Sequence, residues 1–542
     1  MQRLHFYDRE ERPWISDRLT TASIVGHTTA TSVRLWIRVQ APGDYHLIVA
    51  RAPIPSLGMP KIDKTSGGKL RASLIGLVGG AKEPFSKVAT IEPRAFSFVG
   101  DLTQVFDLGG LKPDTTYYYA LIETSREKPW ELGYEETLSF STWPASPREI
   151  SFGIWSCHMP FDGGSVRNLE MWDALHRELT ESSARFAFGM GDQVYVDGDK
   201  SIDIWRWLKK IKQHGPSDED MVSWYRDIYR GYWGMPQVRR VLRGFPNYMI
   251  WDDHEIKDGW GSYTSDELSN ELDRFFEWED KAANLALAQR MFTAAKLVYG
   301  EYEHAHNPKT PIGQFDYAFN CGPCAFYALD GRGQRNYEGK NGERILGQAQ
   351  FERFTSWLAS AKNAEIAFVI SPVPTVHASN FIVNKADIAL LGLADDLRDE
   401  WEHESNWLER NRLLDAAFGW SEETGKRLVF LSGDVHVSAA FKLAHRRFPN
   451  ARVYQLTSSG ITYATAPVGL KLAVCNDGVL GDKSGVEKKD RWYFRLIQPV
   501  FSGNNFGMLH VRPGTPEPTL SYVLFGNAAS GDGVVKKPAL IL

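Results

Sequence analysis

The run Phe186-Ala187-Phe188-Gly189-Met190 is short and apolar, stops at Gly191 and hands over Asp192, with Tyr195 three residues further on. Such a run bounded by glycine reads as a strand. A strand followed at once by Gly-Asp places the carboxylate at its C-terminal end, where open α/β sheets bind ligands. Taken alone, Gly191-Asp192 is more simply a turn. The choice between the two readings depends on how the other strands end.

Three others end in the same manner. Ile150 to Trp155 runs into Ser156-Cys157-His158; Tyr248–Trp251 leads into Asp252-Asp253-His254-Glu255; Leu428–Leu431 leads into Ser432-Gly433-Asp434-Val435-His436. Further buried strands are expected over Ala325–Leu329, Ile366–Ile370 and Val453–Leu456. Leu169, Trp172, Leu175 and Leu179 recur at helical spacing between the first two strands, so that segment is a βαβ unit and its sheet is at least partly parallel. Lys281–Tyr299 reads as a helix with Leu285, Ala288, Phe292 and Ala295 on one face. Four strand ends thus deliver Asp, His, Cys or Tyr to one rim of a sheet. Buried charges without partners are costly, and a multi-metal centre resolves that cost because cations neutralise clustered carboxylates. A thiolate beside a phenolate favours a ferric or other strongly Lewis-acidic transition metal over magnesium, while carboxylates suit a harder second cation such as calcium or manganese. Metals a few ångströms apart are the usual equipment for phosphoester hydrolysis.

The rest of the chain frames this constellation. From about Ala22 to Thr142 the pattern is all-β: Val33, Leu35, Ile37 and Val39 alternate with Arg34, Trp36 and Arg38, as in a strand with one buried face. The spacing Leu111-x-Pro113-x-Thr115-x-Tyr117 resembles the tyrosine corner of fibronectin type III and immunoglobulin-like sandwiches. Residues 53–95, rich in Gly, Pro and Lys, read as a long irregular insertion, and Ser141–Pro147 as a linker. An aromatic-rich segment (Trp205, Trp207, Trp224, Tyr225, Tyr229, Tyr232, Trp233) suits either a lid or cleft wall or an ordinary helical core. Cys321-Gly322-Pro323-Cys324 spells a thioredoxin-type sequence, but that chemistry needs a thiol at a helix N-terminus. Here the pair precedes the strand Ala325–Leu329, and the match reads as coincidence. With 62 Lys and Arg against 67 Asp and Glu, the net charge is −5. That gives no basic field for nucleic acid and no polybasic membrane footing. No apolar run approaches the roughly 18 residues of a membrane helix, and the charged N-terminus carries no secretory signal. A cytoplasmic location is therefore expected.

The blocks Ser156-Cys157, Gly191-Asp192-x-x-Tyr195, Trp251-Asp252-Asp253-His254-Glu255, Leu329-Asp330-x-Arg332 and Gly433-Asp434-Val435-His436 resemble, in combination and order, the PhoD-type alkaline phosphatases. These are calcineurin-like metallophosphoesterases and relatives of the purple acid phosphatases. Leu346-Gly347-Gln348-x-Gln350 and Thr457-Ser458-Ser459-Gly460 add to the likeness. It implies an α/β fold: an immunoglobulin or fibronectin III-like β domain over 1–146, then over 147–542 a catalytic β-sandwich flanked by helices in four αββα layers. It also implies that Cys157, Asp192, Tyr195 and His436 hold a ferric ion, and that Asp192 bridges to a second metal. Asp253 would face that second metal, calcium in PhoD-type enzymes, with manganese, magnesium or zinc as alternatives. Asp434 sits in the last metal-binding block. By the same resemblance Arg332 holds phosphate through its planar fork, and His254 protonates the leaving group or contacts a phosphoryl oxygen. Hydroxide held between the metals would attack phosphorus in small mono- and diester substrates.

The chain departs from the family in two places. Ile256-Lys257-Asp258-Gly259-Trp260 stands where many relatives carry two calcium-binding asparagines, and His158 stands where a glutamine is usual, either contacting substrate or packing. Asp197 has no partner in the pattern and reads as an ordinary loop acid. The rival to hydrolysis is a non-catalytic binding or adhesion protein with a degenerate metal site.

Overall fold

Runs of apolar residues too short for helices form the central strands. The computed structural model of the protein describes residues 22–51, 62–63, 71–72, 94–123, 129–130, 138–162, 165–198, 203–210, 216–276, 280–339, 344–377, 398–463, 477–527 and 533–542. The expected insertion over 53–95 falls almost wholly outside these. Among the described residues, two large sheets face one another. In the first, Phe186–Met190 lies parallel to both Ile150–Trp155 and Asn247–Ile250, and Ile150–Trp155 continues antiparallel into Asn505–Arg512 and then Thr519–Asn527. In the second, Cys324–Ala328, Ile366–Ile370, Arg427–Ser432 and Arg452–Thr457 are parallel neighbours, with antiparallel strands on either side. The parallel strands are apolar on both faces because both faces are covered.

Between the sheets lies the main core, where Phe152, Phe186, Phe326 and Phe368 pack edge-to-face or stacked at centroid distances of 4.8–5.4 Å. A second core lies on the outer face of the second sheet, under the helices Gly347–Ser360 and Trp407–Thr424. The helix Glu170–Glu181 puts Trp172, Leu175 and Leu179 against the outer face of the first sheet, beside Gly153. This is the metallophosphoesterase-type arrangement, preceded by an N-terminal β domain. No helix among the described residues is long and apolar enough to cross a membrane.

In the β domain, a sheet of Ala22–Thr28, Ser32–Arg38 and Thr103–Gly109 shares a core with a second sheet containing Gly43–Ala50 and Thr116–Glu123. The tyrosine corner closes as its spacing suggests: the Lys112 backbone N–H donates to the Tyr117 hydroxyl at 2.8 Å. One expectation fails here. Arg34, Trp36 and Arg38 do not face solvent; they form a polar seam against the helix Lys281–Tyr302 and the turn after it. Trp36 Nε1 donates to the Glu301 carbonyl at 2.7 Å, and Arg34 to the Ala305 carbonyl at 2.8 Å. Arg38 is buried on Asp101, which also receives Arg230 at 2.6 Å and the Tyr302 hydroxyl. The face that reads as exposed is an internal contact.

The Lys281–Tyr302 helix buries Leu287, Ala288, Met291 and Ala295, with Leu285 and Phe292 only half-covered. The aromatic segment forms the helices Ile204–Lys210 and Asp218–Trp233 and is largely core, not lid. Three of its tyrosines brace the loops beneath the strand ends: Tyr225 donates to the Ile256 carbonyl, Tyr229 to Glu303 and Tyr232 to the Tyr195 carbonyl. Cys321 and Cys324 are paired across a hairpin whose turn is Gly322-Pro323. Both are buried, and burial pushes the Cys321 thiol up to about 12. Neither sits at a helix N-terminus, so the thioredoxin reading has no structural basis.

Candidate metal centre

The four strand ends meet, but from two sheets rather than one. Trp155, Met190 and Ile250 end strands of the first sheet, and Ser432 ends one of the second. Their rims approach so closely that two glycines are obligatory. Gly191 has φ +97°, and a Cβ there would lie 2.7 Å from the Asp252 Cβ; a Cβ at Gly433 would lie 2.4 Å from Ser156 Oγ.

Beyond these points the backbone is held in an unusual state. Cys157, Asp192, Asp434 and His436 all take positive φ, at 52°, 56°, 65° and 52°. Non-glycine residues rarely do so, and such conformations collect at functional sites because the surroundings over-determine them. Those surroundings are visible. Cys157 N–H donates to the Gly191 carbonyl and His158 N–H to the Asp192 carbonyl. The buried Glu255 carboxylate accepts from the backbone N–H groups of Asp192, Gln193 and Asp252, at 3.1, 2.5 and 2.8 Å. Ser459 Oγ lies 3.1 Å from Cys157 Sγ and accepts the His436 N–H at 2.9 Å.

Three groups of side chains place one ligand atom each within 4.8 Å of one another: Cys157 with Asp192 and His436, Asp192 with Asp253 and His254, and Asp192 with Asp252 and Asp434. Asp192 belongs to all three. The Tyr195 hydroxyl sits inside the first group, donating to Asp192 Oδ2 at 2.9 Å and lying 3.4 Å from His436 Nε2. The structure therefore brings Cys157, Asp192, Tyr195, Asp253, Asp434 and His436 together. It adds Asp252, which the sequence reading left without a role.

The donor set fits cations. Asp192 Oδ1 and Asp252 Oδ2 are buried with no hydrogen-bond partner, and Asp253 Oδ1, likewise without one, has Arg332 Nη2 at 3.5 Å. A buried carboxylate is costly unless a positive charge faces it. Without such a charge, burial lifts Asp192 to about 6 against the pull of His254, and burial with the Asp252 charge pushes Asp434 well above the carboxylate range. Burial and the Asp192 charge likewise raise the Cys157 thiol and the Tyr195 phenol far above their usual values. Both need a strongly Lewis-acidic ion before they can ionise.

Asp197 is not an ordinary loop acid. Its side chain is buried, its Oδ1 meets His254 Nδ1 at 2.7 Å, and its Oδ2 accepts the Asp258 N–H at 2.5 Å. Burial alone would lower the His254 pKa, but the carboxylates of Asp253, Asp197 and Asp192 raise it well above the imidazole range. Asp197 thus occupies His254 Nδ1, and Nε2 faces Asp258 Oδ1 at 3.9 Å. Sequence spacing offered one cue, an acid five residues beyond Asp192, but nothing local connects it to a histidine 57 residues away.

Arg332 does not present its fork to an incoming anion. Its side chain is 0% exposed, with Nε on Asp252, Nη1 and Nη2 on Asp399 at 2.6 and 2.5 Å, and Nη1 also on the Trp260 carbonyl. The guanidinium is turned onto protein carboxylates, pairing with Asp252 and Asp399 and lying 3.5 Å from Asp253 Oδ1. Nor is Asp330 its ion partner: Asp330 Oδ1 accepts from Trp251 Nε1 at 2.7 Å and from the Arg332 and Gly333 backbone N–H groups. Gln350 exchanges two hydrogen bonds with the Asp330 backbone, which gives that block a loop-closing task. His158 packs: it is fully buried, its Nδ1 meets Thr462 Oγ1 and Trp172 Nε1, and burial lowers it to about 3.

A family model described as PhoD-like phosphatase matches residues 154–477, a span that includes every residue of this cluster. Among curated proteins, an uncharacterized protein of Saccharomyces cerevisiae is 24% identical over 315 residues, which is 46% of this chain and 44% of that protein, so the match spans less than half of the relative. Among solved structures, one of PhoD is similar with a TM-score of 0.60 at 15% identity, covering 96% of this chain and 92% of that one. A purple acid phosphatase from yellow lupin (Lupinus luteus) seeds follows with a TM-score of 0.50 at 12% identity, covering 96% and 74%. At these identities the structural likeness is one of fold.

Proposed function

The chain belongs to the PhoD-like phosphatase family, and from that premise we propose that it hydrolyses small phosphate esters, both mono- and diesters, at the cluster centred on Asp192. The observation that carries this reading is that Asp192 joins all three ligand groups while buried oxygens of Asp192 and Asp252 have no hydrogen-bond partner. Cys157, Asp192, Tyr195 and His436 form the softer, more strongly Lewis-acidic site, for which iron(III) is the proposed occupant. Asp192, Asp252 and Asp434 form an all-oxygen group suited to calcium or another hard cation, and Asp253 joins Asp192 and His254 in the remaining group. Bound there, such cations supply charge neutralisation and Lewis acidity for attack of water on phosphorus.

The protein's own groups supply the rest. Glu255 and the tight turns fix the strand ends, so the ligand atoms need little reorganisation when a cation or substrate enters. Asp197 holds His254 through Nδ1 and favours its charged form, leaving the Nε2 proton for the departing alcohol. Arg332 positions Asp252 and keeps its charge tolerable. On the same reading residues 1–146 are a β module that braces the catalytic part, residues 147–542, through the Asp101 seam.

The test is hydrolysis of a chromogenic phosphomonoester and a chromogenic phosphodiester by the purified chain, before and after chelation. Hydrolysis that chelation abolishes and added metal restores is the expected result. A chain inactive on both under every metal supplement would instead be a binding protein with a degenerate site.

A further inference from the structure

Asp258 sits beside Nε2 of His254. Its Oδ1 lies 3.9 Å from His254 Nε2, and its side chain is 52% exposed. Its placement is nonetheless fixed. The Asp258 N–H donates to Asp197 Oδ2, and the next amide, Gly259 N–H, donates to Asp253 Oδ2 at 2.6 Å. Gly259 takes φ +66°, and a Cβ there would press on the Tyr263 ring at 2.9 Å, so this turn accepts only glycine without rearrangement. Asp197 thus holds both the histidine and the backbone that aims Asp258 at it. Tyr463 stacks on His436 with ring centroids 3.7 Å apart and lies 5.2 Å from Tyr195.

The carboxylates of Asp192, Asp252 and Asp253 are buried, whereas Asp258, paired with His254, is half-exposed to solvent. We propose that Asp258 is a specificity-determining residue: its charge discriminates against doubly charged phosphomonoesters and so favours singly charged phosphodiesters. The proposal rests on the phosphoesterase reading above. A phosphoryl oxygen hydrogen-bonded to His254 Nε2 at about 2.8 Å lies no more than about 7 Å from Asp258 Oδ1, by the triangle inequality. A phosphomonoester near neutral pH carries close to two negative charges, its second pKa being about 6. A diester carries one. At a half-exposed position with an effective dielectric between those of the protein surface and water, one extra like charge at that range weakens binding and transition-state stabilisation by about five- to tenfold. Because the carboxylate is exposed, added salt screens the effect.

The experiment measures kcat/KM for a monoester and a diester sharing one leaving group, on the full chain with its metals, for wild type, Asp258→Asn and Asp258→Lys at low and high salt. The monoester-to-diester ratio is expected to rise about five- to tenfold in Asp258→Asn and further in Asp258→Lys, with the differences shrinking at high salt. Each ratio comes from one preparation, so any loss of folded protein cancels. An unchanged ratio overturns the proposal. A parallel fall of both activities with a raised metal requirement also overturns it, making Asp258 a cation ligand instead. A wild type inactive on both esters refutes the phosphoesterase reading itself, and this proposal with it.

Discussion

Substitution of Asp101 tests how the two parts of the chain are joined. Its carboxylate is 6% exposed and accepts Arg38 through Nε and Nη2, both at 3.2 Å, Arg230 Nη1 at 2.6 Å, and the Tyr302 hydroxyl. One acid of the β domain thus engages a strand of its own domain and two helices of the catalytic part. Asp101→Asn keeps the shape and removes the charge that two buried guanidiniums face. Breaking a buried pair by neutralising one member costs about 3–5 kcal/mol. Arg230 retains Asp227, so the lower end, about 3 kcal/mol, is the expected loss. Burial alone would raise the Asp101 pKa, but Arg230 and Arg38 hold it well below the carboxylate range. A depressed folded-state pKa means stabilisation that is full above the unfolded value of about 3.9 and is lost as the pH falls through the folded value. The difference between wild type and Asp101→Asn is therefore constant from pH 7 down to about 5 and narrows below about 4. Urea unfolding across that pH series measures it, and hydrogen exchange locates it in Ala22–Thr28, Ser32–Arg38 and Asp218–Trp233. A loss below about 1 kcal/mol at neutral pH, the level of an exposed pair, would refute the buried seam.

Other outcomes follow from the same geometry. Tyr195→Phe abolishes the visible phenolate-to-iron absorption expected of the loaded protein; a band that survives would place the phenolate elsewhere. Asp197→Asn lowers kcat by about a hundredfold with little change in KM or metal content, because it acts through His254; equal effects on metal content would make Asp197 a ligand-shell residue. The double substitution Cys321→Ala and Cys324→Ala leaves hydrolysis intact, and native wild type reacts at these thiols only as fast as it unfolds. Rapid native modification would revive a redox role.

What could be read from the residues alone follows from where local pattern carries information. Strands such as Phe186–Met190 and Ile366–Ile370 were legible to the residue because burial on both faces leaves a continuous apolar run. Cys157 and Asp192 stand out because each comes two residues after such a run, and His436 because it closes the Gly433-Asp434-Val435-His436 block after one. That the runs belong to two facing sheets was not legible, since sheet order is set by pairings between distant segments. The phosphate role of Arg332 came from the resemblance alone, and its pairing with Asp399, 67 residues downstream, has no local trace. Asp197 has no local partner in the sequence because His254 is brought to it by a different strand. Arg34, Trp36 and Arg38 alternated as a solvent face should, yet the face is covered by a helix some 270 residues later in the chain, with Arg34 bonded to a carbonyl 271 positions on. Side chains that answer to tertiary partners leave little trace in local spacing.

The account turns on Asp192 serving every cation site at once, and elemental analysis of wild type and Asp192→Asn, paired with ester hydrolysis, tests this most directly. Wild type is predicted to hold more than one metal ion per chain, iron among them. The near-isosteric Asp192→Asn, folded by circular dichroism, is predicted to lose iron and the second cation together, along with hydrolysis. An Asp192→Asn protein that keeps its metals and its activity would contradict the shared-carboxylate centre.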